Sequence, residues 1–272
     1  MNKLLIDDAV KKLREKRPLV HCITNYVTAN DCANIILALG GIPTMAQCIT
    51  EVQEISSKAD SLVINIGTLS DGIVDSMILA GKTANKNNVP IIFDPVGAAA
   101  SNSRKESAFK ILKEVRVSVI KGNMAEMKVL LGMNGSSKGV DSIEEVTSED
   151  AKEIVKKVAL KMDTIAAITG EKDYISDGSK VFVIENGVES MTRVTGTGCM
   201  TTSLIGAYLG VIKDSFLSSI LGIMTMGIAG EKAYENLKEG EGSGSFRVKL
   251  IDAVDNMTSE ELMKRGKINE ER

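Results

Sequence analysis

Two stretches decide the fold: Leu62-Val-Ile-Asn-Ile-Gly-Thr68 and Pro90-Ile-Ile-Phe-Asp-Pro-Val-Gly97, separated by a helical pattern over Asp71–Asn85. Both apolar runs are continuous rather than alternating, which is the signature of strands buried on two faces. The unit then repeats. A helix near Arg104–Glu114 leads to a strand over Val117–Ile120, and a helix over Glu149–Met162 leads to a strand over Thr164–Thr169. Strands alternating with helices predict a central, mostly parallel sheet with helices on both faces. The rhythm changes near Tyr174, where Asp177-Gly178 between Tyr174–Ser176 and Val181–Ile184 signals a hairpin. Beyond Thr195 the pattern is helical throughout. No repeat, low-complexity tract or linker interrupts it, and Glu239–Ser245 reads as a loop between helices. Residues 1–272 are therefore expected to form a single α/β domain.

Composition narrows the function. A net charge of -3, no Trp and 3% aromatic residues leave no basic or stacking surface for nucleic acid. The longest uncharged runs, Cys32–Thr50 and Val194–Ile212, contain too much Gly, Thr and Pro for a membrane span. The N-terminus reaches acid after three apolar residues, unlike an export signal. A cytoplasmic protein with reduced thiols is the expectation. Cys22, Cys32, Cys48 and Cys199 form no CxxC pair and accompany one histidine, His21, so a structural zinc site lacks usable spacing.

Ligands of open parallel sheets bind at the carboxyl ends of the strands. Asn65-Ile-Gly-Thr68, Asp94-Pro-Val-Gly97, Lys121-Gly-Asn-Met-Ala-Glu126 and Thr169-Gly170 fall there. Val194-Thr-Gly-Thr-Gly-Cys-Met-Thr-Thr-Ser203 then runs straight into an apolar helix. Glycines let backbone amides approach a ligand, and the helix start aims unpaired N–H groups and a positive dipole end at the same point. That construction binds an anion, commonly phosphate. Carboxylates Asp94 and Glu126, cation Lys121 and this cradle on one rim suit a magnesium nucleotide, because Mg²⁺ takes one or two carboxylates plus phosphate oxygens. Singly, the residues have plainer readings: Asn123 with Glu126 makes a helix cap, Cys199 a small buried hydrophobe, Met45 a core residue. Two motif mimics fail. Gly81-Lys82-Thr83 lacks the P-loop glycine, since position 76 is Ser76, and Gly196-Thr-Gly198-Cys-Met-Thr201 lacks the third glycine of a dinucleotide fingerprint. Pro18–Val27, a helix near Asn30–Leu39 and Gly40–Gln47 offer Thr24, Asn25, Tyr26, Thr44 and Gln47 with few charges, a surface for a small neutral substrate.

Six segments together resemble the hydroxyethylthiazole kinase family: His21–Val27, Gly41–Met45, Asn65–Thr68, Asp94–Gly97, Lys121–Glu126 and Thr195–Cys199. The resemblance runs from about Pro18 to Phe246. It implies a ribokinase-like fold and MgATP-dependent phosphorylation of the hydroxyl of 4-methyl-5-(2-hydroxyethyl)thiazole, a thiamine salvage step. It also implies a homotrimer with active sites between subunits. By position, the thiazole is expected against Met45, with Asn25 and Val27 nearby and Gly196 at the reacting end. Lys121, Thr169 and Asn123 fall at ATP-binding positions, and Asp94 and Glu126 near magnesium and the phosphates. Cys199 stands where most ribokinase-like kinases carry an aspartate base, with Gly196, Thr197 and Gly198 completing the anion hole. A helpful, non-essential role in taking the substrate proton is expected of it. Three positions depart from the family: Lys121 where arginine is frequent, Cys22 where asparagine is expected, and Gly242-Ser-Gly244 where a proline is usual. The runner-up reading is a kinase of the same fold for another small alcohol, such as hydroxymethylpyrimidine. A nucleotide-dependent hydro-lyase and a non-enzymatic nucleotide sensor rank below it.

Overall fold

The computed structural model describes residues 3–133 and 147–271. Helix α1 (Lys3–Lys16) precedes strand β1 (Leu19–Ile23), α2 (Ala29–Leu39), β2 (Ile42–Thr44) and α3 (Val52–Lys58). The repeating units follow: β3 (Ser61–Asn65), α4 (Ile73–Lys86), β4 (Ile91–Asp94), α5 (Asn102–Glu114), β5 (Val119–Gly122), α6 (Met124–Leu130), α7 (Ser148–Met162) and β6 (Ile165–Ile168). A hairpin of β7 (Asp173–Ser176) and β8 (Val181–Ile184) leads through a 3-10 turn, Glu189–Arg193, to α8 (Thr197–Leu209) and α9 (Ser215–Glu235). Helices α10 (Ser243–Asp255) and α11 (Ser259–Arg265) and strand β9 (Ile268–Glu271) complete the chain.

The strands form one sheet in the order β2-β1-β3-β4-β5-β6-β7-β8-β9. Pairing is parallel from β2 through β6 and antiparallel from β6 to β9. Side chains alternate between two cores. Val20, Val63, Ile92, Val119, Ala167 and Ile175 face α1, α2 and α8–α11; Leu62, Ile64, Phe93, Ile120 and Ala166 face the layer of α3–α7. Continuous apolar strands are thus buried on both sides, as their composition predicts.

Three features differ from the sequence-based expectations. Strand β5 begins at Val119, two residues later than expected, because Val119 and Ile120 pair with Ile92 and Phe93, carrying Lys121 into the strand. Strands β1 and β2, with helices α1 and α3, are additional elements of the N-terminal region. The C-terminal segment is not all helical: Ile268-Asn-Glu-Glu271 pairs antiparallel with β8. Its polar sequence hides it as a strand, and charge on an exposed edge discourages pairing with another chain. Pro43 sits in β2 at the opposite edge, where a missing N–H is tolerated.

Helix α8 lies against the middle of the sheet, which explains a segment apolar around nearly its whole circumference. Gly206 permits the contact: a Cβ there would stand 2.5 Å from Val63 Cγ2. Gly81, the P-loop mimic, has a packing role, since a Cβ would meet Val115 Cγ atoms at 2.6 Å. Among the described residues no helix is long and apolar enough to cross a membrane. Replacing Gly206 with Ala should overpack the α8–sheet contact and cost about 1–3 kcal/mol in denaturant unfolding. Val63→Ala in the same chain should recover part of that loss; additive losses would show that the two do not meet.

Candidate active site

Register brings the strand ends together. Asn65 and Asp94 are direct partners in the β3–β4 ladder, and Lys121 faces Ala167 across β5–β6. Thr169 continues this edge by donating its backbone N–H to Gly122 O at 2.9 Å. The start of α8 closes over the same edge.

Asp94 is completely buried. Its Oδ2 accepts from Thr202 Oγ1 at 2.5 Å, Lys121 Nζ at 3.2 Å and Asn65 Nδ2 at 3.4 Å. Its Oδ1 is buried with no hydrogen-bond partner among the described residues. Lys121 is itself 4% exposed and donates also to Gly198 O at 3.1 Å. Burial alone would depress the Lys121 ammonium, but the carboxylates of Asp94 and Glu126 outweigh it and hold the group above its ordinary value. The cation therefore lies beneath the cradle, tied to its backbone.

Gly196 caps α8 with φ of +87°, and a Cβ there would stand 2.4 Å from Thr28 Cγ2. Only glycine meets both conditions. No side chain caps this helix start, so the first-turn amides of Thr197, Gly198 and Cys199 keep their capacity for an anion. Cys199 Sγ accepts from Asn65 Nδ2 at 3.2 Å and from Asn25 Nδ2 at 3.3 Å. The orientation of both amides follows from their other partners. Gly67 N, an obligate donor, bonds Asn65 Oδ1 at 2.8 Å, and Thr28 N bonds Asn25 Oδ1 at 3.1 Å. Each NH₂ group is thereby turned toward the sulfur.

Asn123 and Glu126 form a reciprocal capping box at the start of α6. Glu126 Oε2 accepts from Asn123 N at 2.7 Å, while Oε1 accepts from Gly97 N at 2.8 Å, joining the loop after β4 to α6. Burial, followed by the Asp94 charge, pushes the Glu126 carboxyl up to about 7 against the pull of these N–H groups. Asp173, at the start of β7, accepts from Gly170 N at 3.0 Å and fixes the turn after Thr169. Burial raises it to about 7 as well, with Gly170 N–H and Lys121 opposing.

The substrate-side residues divide. Met45 is half-buried against the core, Val27 is exposed, and the Asn25 side chain turns inward to Cys199. Cys22 lies on the core face of β1, 1% exposed, away from any ligand surface. Gly242–Gly244 lead into α10 with open space around each missing Cβ. Four contributors escaped sequence reasoning. Thr202 lies one helical turn after Cys199, a spacing that shares a helix face. Asn65 was visible only as part of a turn. Arg104 spans two strand-end loops, donating to Gly67 O at 2.7 Å and packing where a Gly97 Cβ would stand. Asp173 gave no sequence signal beyond its place after Gly170.

Residues 10–260 match the model of the hydroxyethylthiazole kinase family. The chain is 50% identical to a hydroxyethylthiazole kinase of Clostridium botulinum (strain Eklund 17B / Type B) over 270 residues, 97% of each protein. Its fold resembles the hydroxyethylthiazole kinase of Pyrococcus horikoshii OT3 with a TM-score of 0.89 at 41% identity, covering 99% of this chain and 100% of that one. A ribokinase-like superfamily protein of Enterococcus faecalis V583 shares the fold at a TM-score of 0.62 and 12% identity, covering 93% and 94%. With its motifs gathered on one sheet edge and this similarity along nearly its whole length, the chain belongs to the hydroxyethylthiazole kinase family.

Proposed function

We propose that this chain transfers the γ-phosphoryl group of MgATP to the hydroxyl of 4-methyl-5-(2-hydroxyethyl)thiazole, yielding the thiazole phosphate used in thiamine salvage. The observation that carries this is the uncapped start of α8, set beside Cys199 and above the Asp94–Lys121 pair. Phosphoryl transfer passes through a loose transition state, so its acceleration comes from positioning and from neutralising charge on the phosphoryl oxygens. The amides of Thr197, Gly198 and Cys199 receive those oxygens, and Gly196 lets the substrate hydroxyl approach. Lys121 adds positive charge from below the cradle. Thr169 and Asn123 border the nucleotide. Cys199, its sulfur oriented by two amides, takes the hydroxyl proton as a thiolate and becomes a thiol, as the alcohol oxygen bonds the γ-phosphorus and ADP leaves.

Asp94 and Glu126 would hold Mg²⁺ together with the nucleotide phosphates. The unpartnered Asp94 Oδ1 and the crowding of two buried carboxylates fit a divalent cation. The described residues contain no group of three or more His, Cys, Asp or Glu able to hold one alone, and phosphate oxygens and waters would complete the shell of an ion held by one or two carboxylates. Bound there, the ion would neutralise charge on the phosphoryl oxygens. Tyr26 and Val27, 82% and 53% exposed, form an apolar rim beside Asn25. We read this rim as covered by a neighbouring subunit in a homotrimer, a state that light scattering measures directly; a monomeric mass removes it.

The activity is tested by ADP release in the presence of MgATP and the thiazole alcohol. Release should depend on the alcohol and exceed that with hydroxymethylpyrimidine; equal release with both would contradict the specificity. In the same assay Cys199→Ala should lose no more than about 10²-fold in kcat, the low end for a general base. Complete loss with intact ATP binding would make the thiol essential.

Glu126 shares the pH dependence of stability with Asp173, and it alone of the two would stand beside the metal. Its folded-state carboxyl holds a proton up to about 7, whereas the unfolded group releases it near 4.5. Stability of the metal-free protein should therefore fall as pH rises between those values. Mg²⁺ must displace that proton, so apparent Mg²⁺ affinity should rise with pH until about 7. In Glu126→Gln the magnesium slope should flatten and the stability slope should become shallower, with the remainder belonging to Asp173, whose carboxyl burial also raises to about 7; a magnesium titration unchanged by this substitution would remove Glu126 from the site.

A further inference from the structure

His21 is the single histidine of the chain and lies fully buried in β1, apart from the phosphate cradle. Neighbours Val20 and Cys22 face the core on the α8 side, so His21 points to the opposite face, toward α3. There its Nδ1 lies 2.9 Å from Ser56 Oγ, and its Nε2 lies 2.7 Å from the carbonyl oxygen of Ala46. A carbonyl only accepts, so Nε2 carries the hydrogen and Nδ1 receives the Ser56 hydroxyl. Burial pushes the imidazole below its ordinary value, with the Ala46 bond and Glu51 opposing. The neutral ring fits both partners.

The bond to Ala46 falls where the chain has little regular pairing. Register between β1 and β2 ends at His21 and Thr44. The next turn closes at Cys48, whose carbonyl accepts from Glu51 N at 3.0 Å and Val52 N at 3.1 Å. Residues 45–47 lie between, and Met45 is among them. Gln47, Cys48 and Ile49 are exposed, so outward packing does not fix the segment. His21 reaches it from inside, anchored on α3 through Ser56, itself completely buried.

We propose that His21 is a positioning residue that sets the course of residues 45–47 and so governs affinity for the alcohol substrate. The inference rests on the reading that Met45 lies against the thiazole. It assigns His21 no part in phosphoryl transfer, which separates its kinetic signature from that of Cys199 or Lys121. His21→Phe keeps a buried ring but removes the donor to Ala46 O. His21→Gln places an amide NH₂ near the Nε2 position and can donate again. Ser56→Ala leaves the ring without its second anchor.

The test is steady-state kinetics with both substrates, paired with hydrogen exchange of the backbone amides. In His21→Phe, KM for the thiazole alcohol should rise roughly 5- to 20-fold, the scale of one lost buried hydrogen bond, with kcat and KM for ATP near wild type. His21→Gln should recover most of the loss, and Ser56→Ala should fall between. Exchange should quicken at 45–48 and remain unchanged in β3 and β4. An alcohol KM within about twofold of wild type in His21→Phe would overturn the inference, as would unaltered exchange at 45–48. Loss of kcat and both KM values together would also do so, by marking a general loosening. If exchange quickens while the wild type does not phosphorylate the thiazole alcohol, the clamp stands and the placement of Met45 fails.

Discussion

A carboxylate removed from water must be compensated, and Asp94, completely buried at the end of β4, organises the site around that requirement. One oxygen collects a hydroxyl from α8, an ammonium from β5 and an amide from β3. Each donor is thereby held in place, and each supports something else. Thr202 and Lys121 also bond the carbonyl of Gly198, fixing the first turn of α8 over the strand ends. Asn65 bonds Cys199 Sγ. The cradle, the cation and the thiol thus share one buried anion as their common reference point. Removing a single donor leaves the buried charge less fully compensated in a dry environment, a larger penalty than the loss of one surface contact.

Close approach is the second constraint. Helix α8 can present its start to the strand ends only because Gly206 lets its body lie on Val63. At the start itself, Gly196 occupies a left-handed conformation with Thr28 directly against it. Thr28 also donates to Asn25 Oδ1 through both its N–H and its hydroxyl, at 3.1 Å and 3.0 Å, and Asn25 in turn bonds the Cys199 sulfur. The loop after β1 and the start of α8 are therefore one construction, although 174 positions separate Asn25 from Cys199.

Much of this was legible in the chain. Continuous apolar runs marked β3, β4 and β6, Asp177-Gly178 marked the β7–β8 hairpin, and the polar strand ends marked the edge where the candidate site lies. The cradle was legible because glycine and an apolar helix start carry a backbone requirement readable from local sequence. What escaped depends on tertiary pairing. Strands β1 and β2 take their conformation from their neighbours β3 and β1, and the polar β9 forms only as an edge partner of β8. Lys121 belongs to β5 because ladder register, not side-chain polarity, sets the strand's end. The inward turn of Asn25 and the reach of Thr202 to Asp94 arise from contacts between distant segments, which periodicity does not encode.

The most direct measurement is a crystal structure with a non-hydrolysable ATP analogue, Mg²⁺ and the thiazole alcohol. The account places oxygens of the terminal phosphate within about 2.7–3.2 Å of the amide nitrogens of Thr197, Gly198 and Cys199, with the substrate hydroxyl between that phosphate and the Cys199 sulfur. A terminal phosphate bound away from the start of α8, with the same amides facing only solvent, would contradict it.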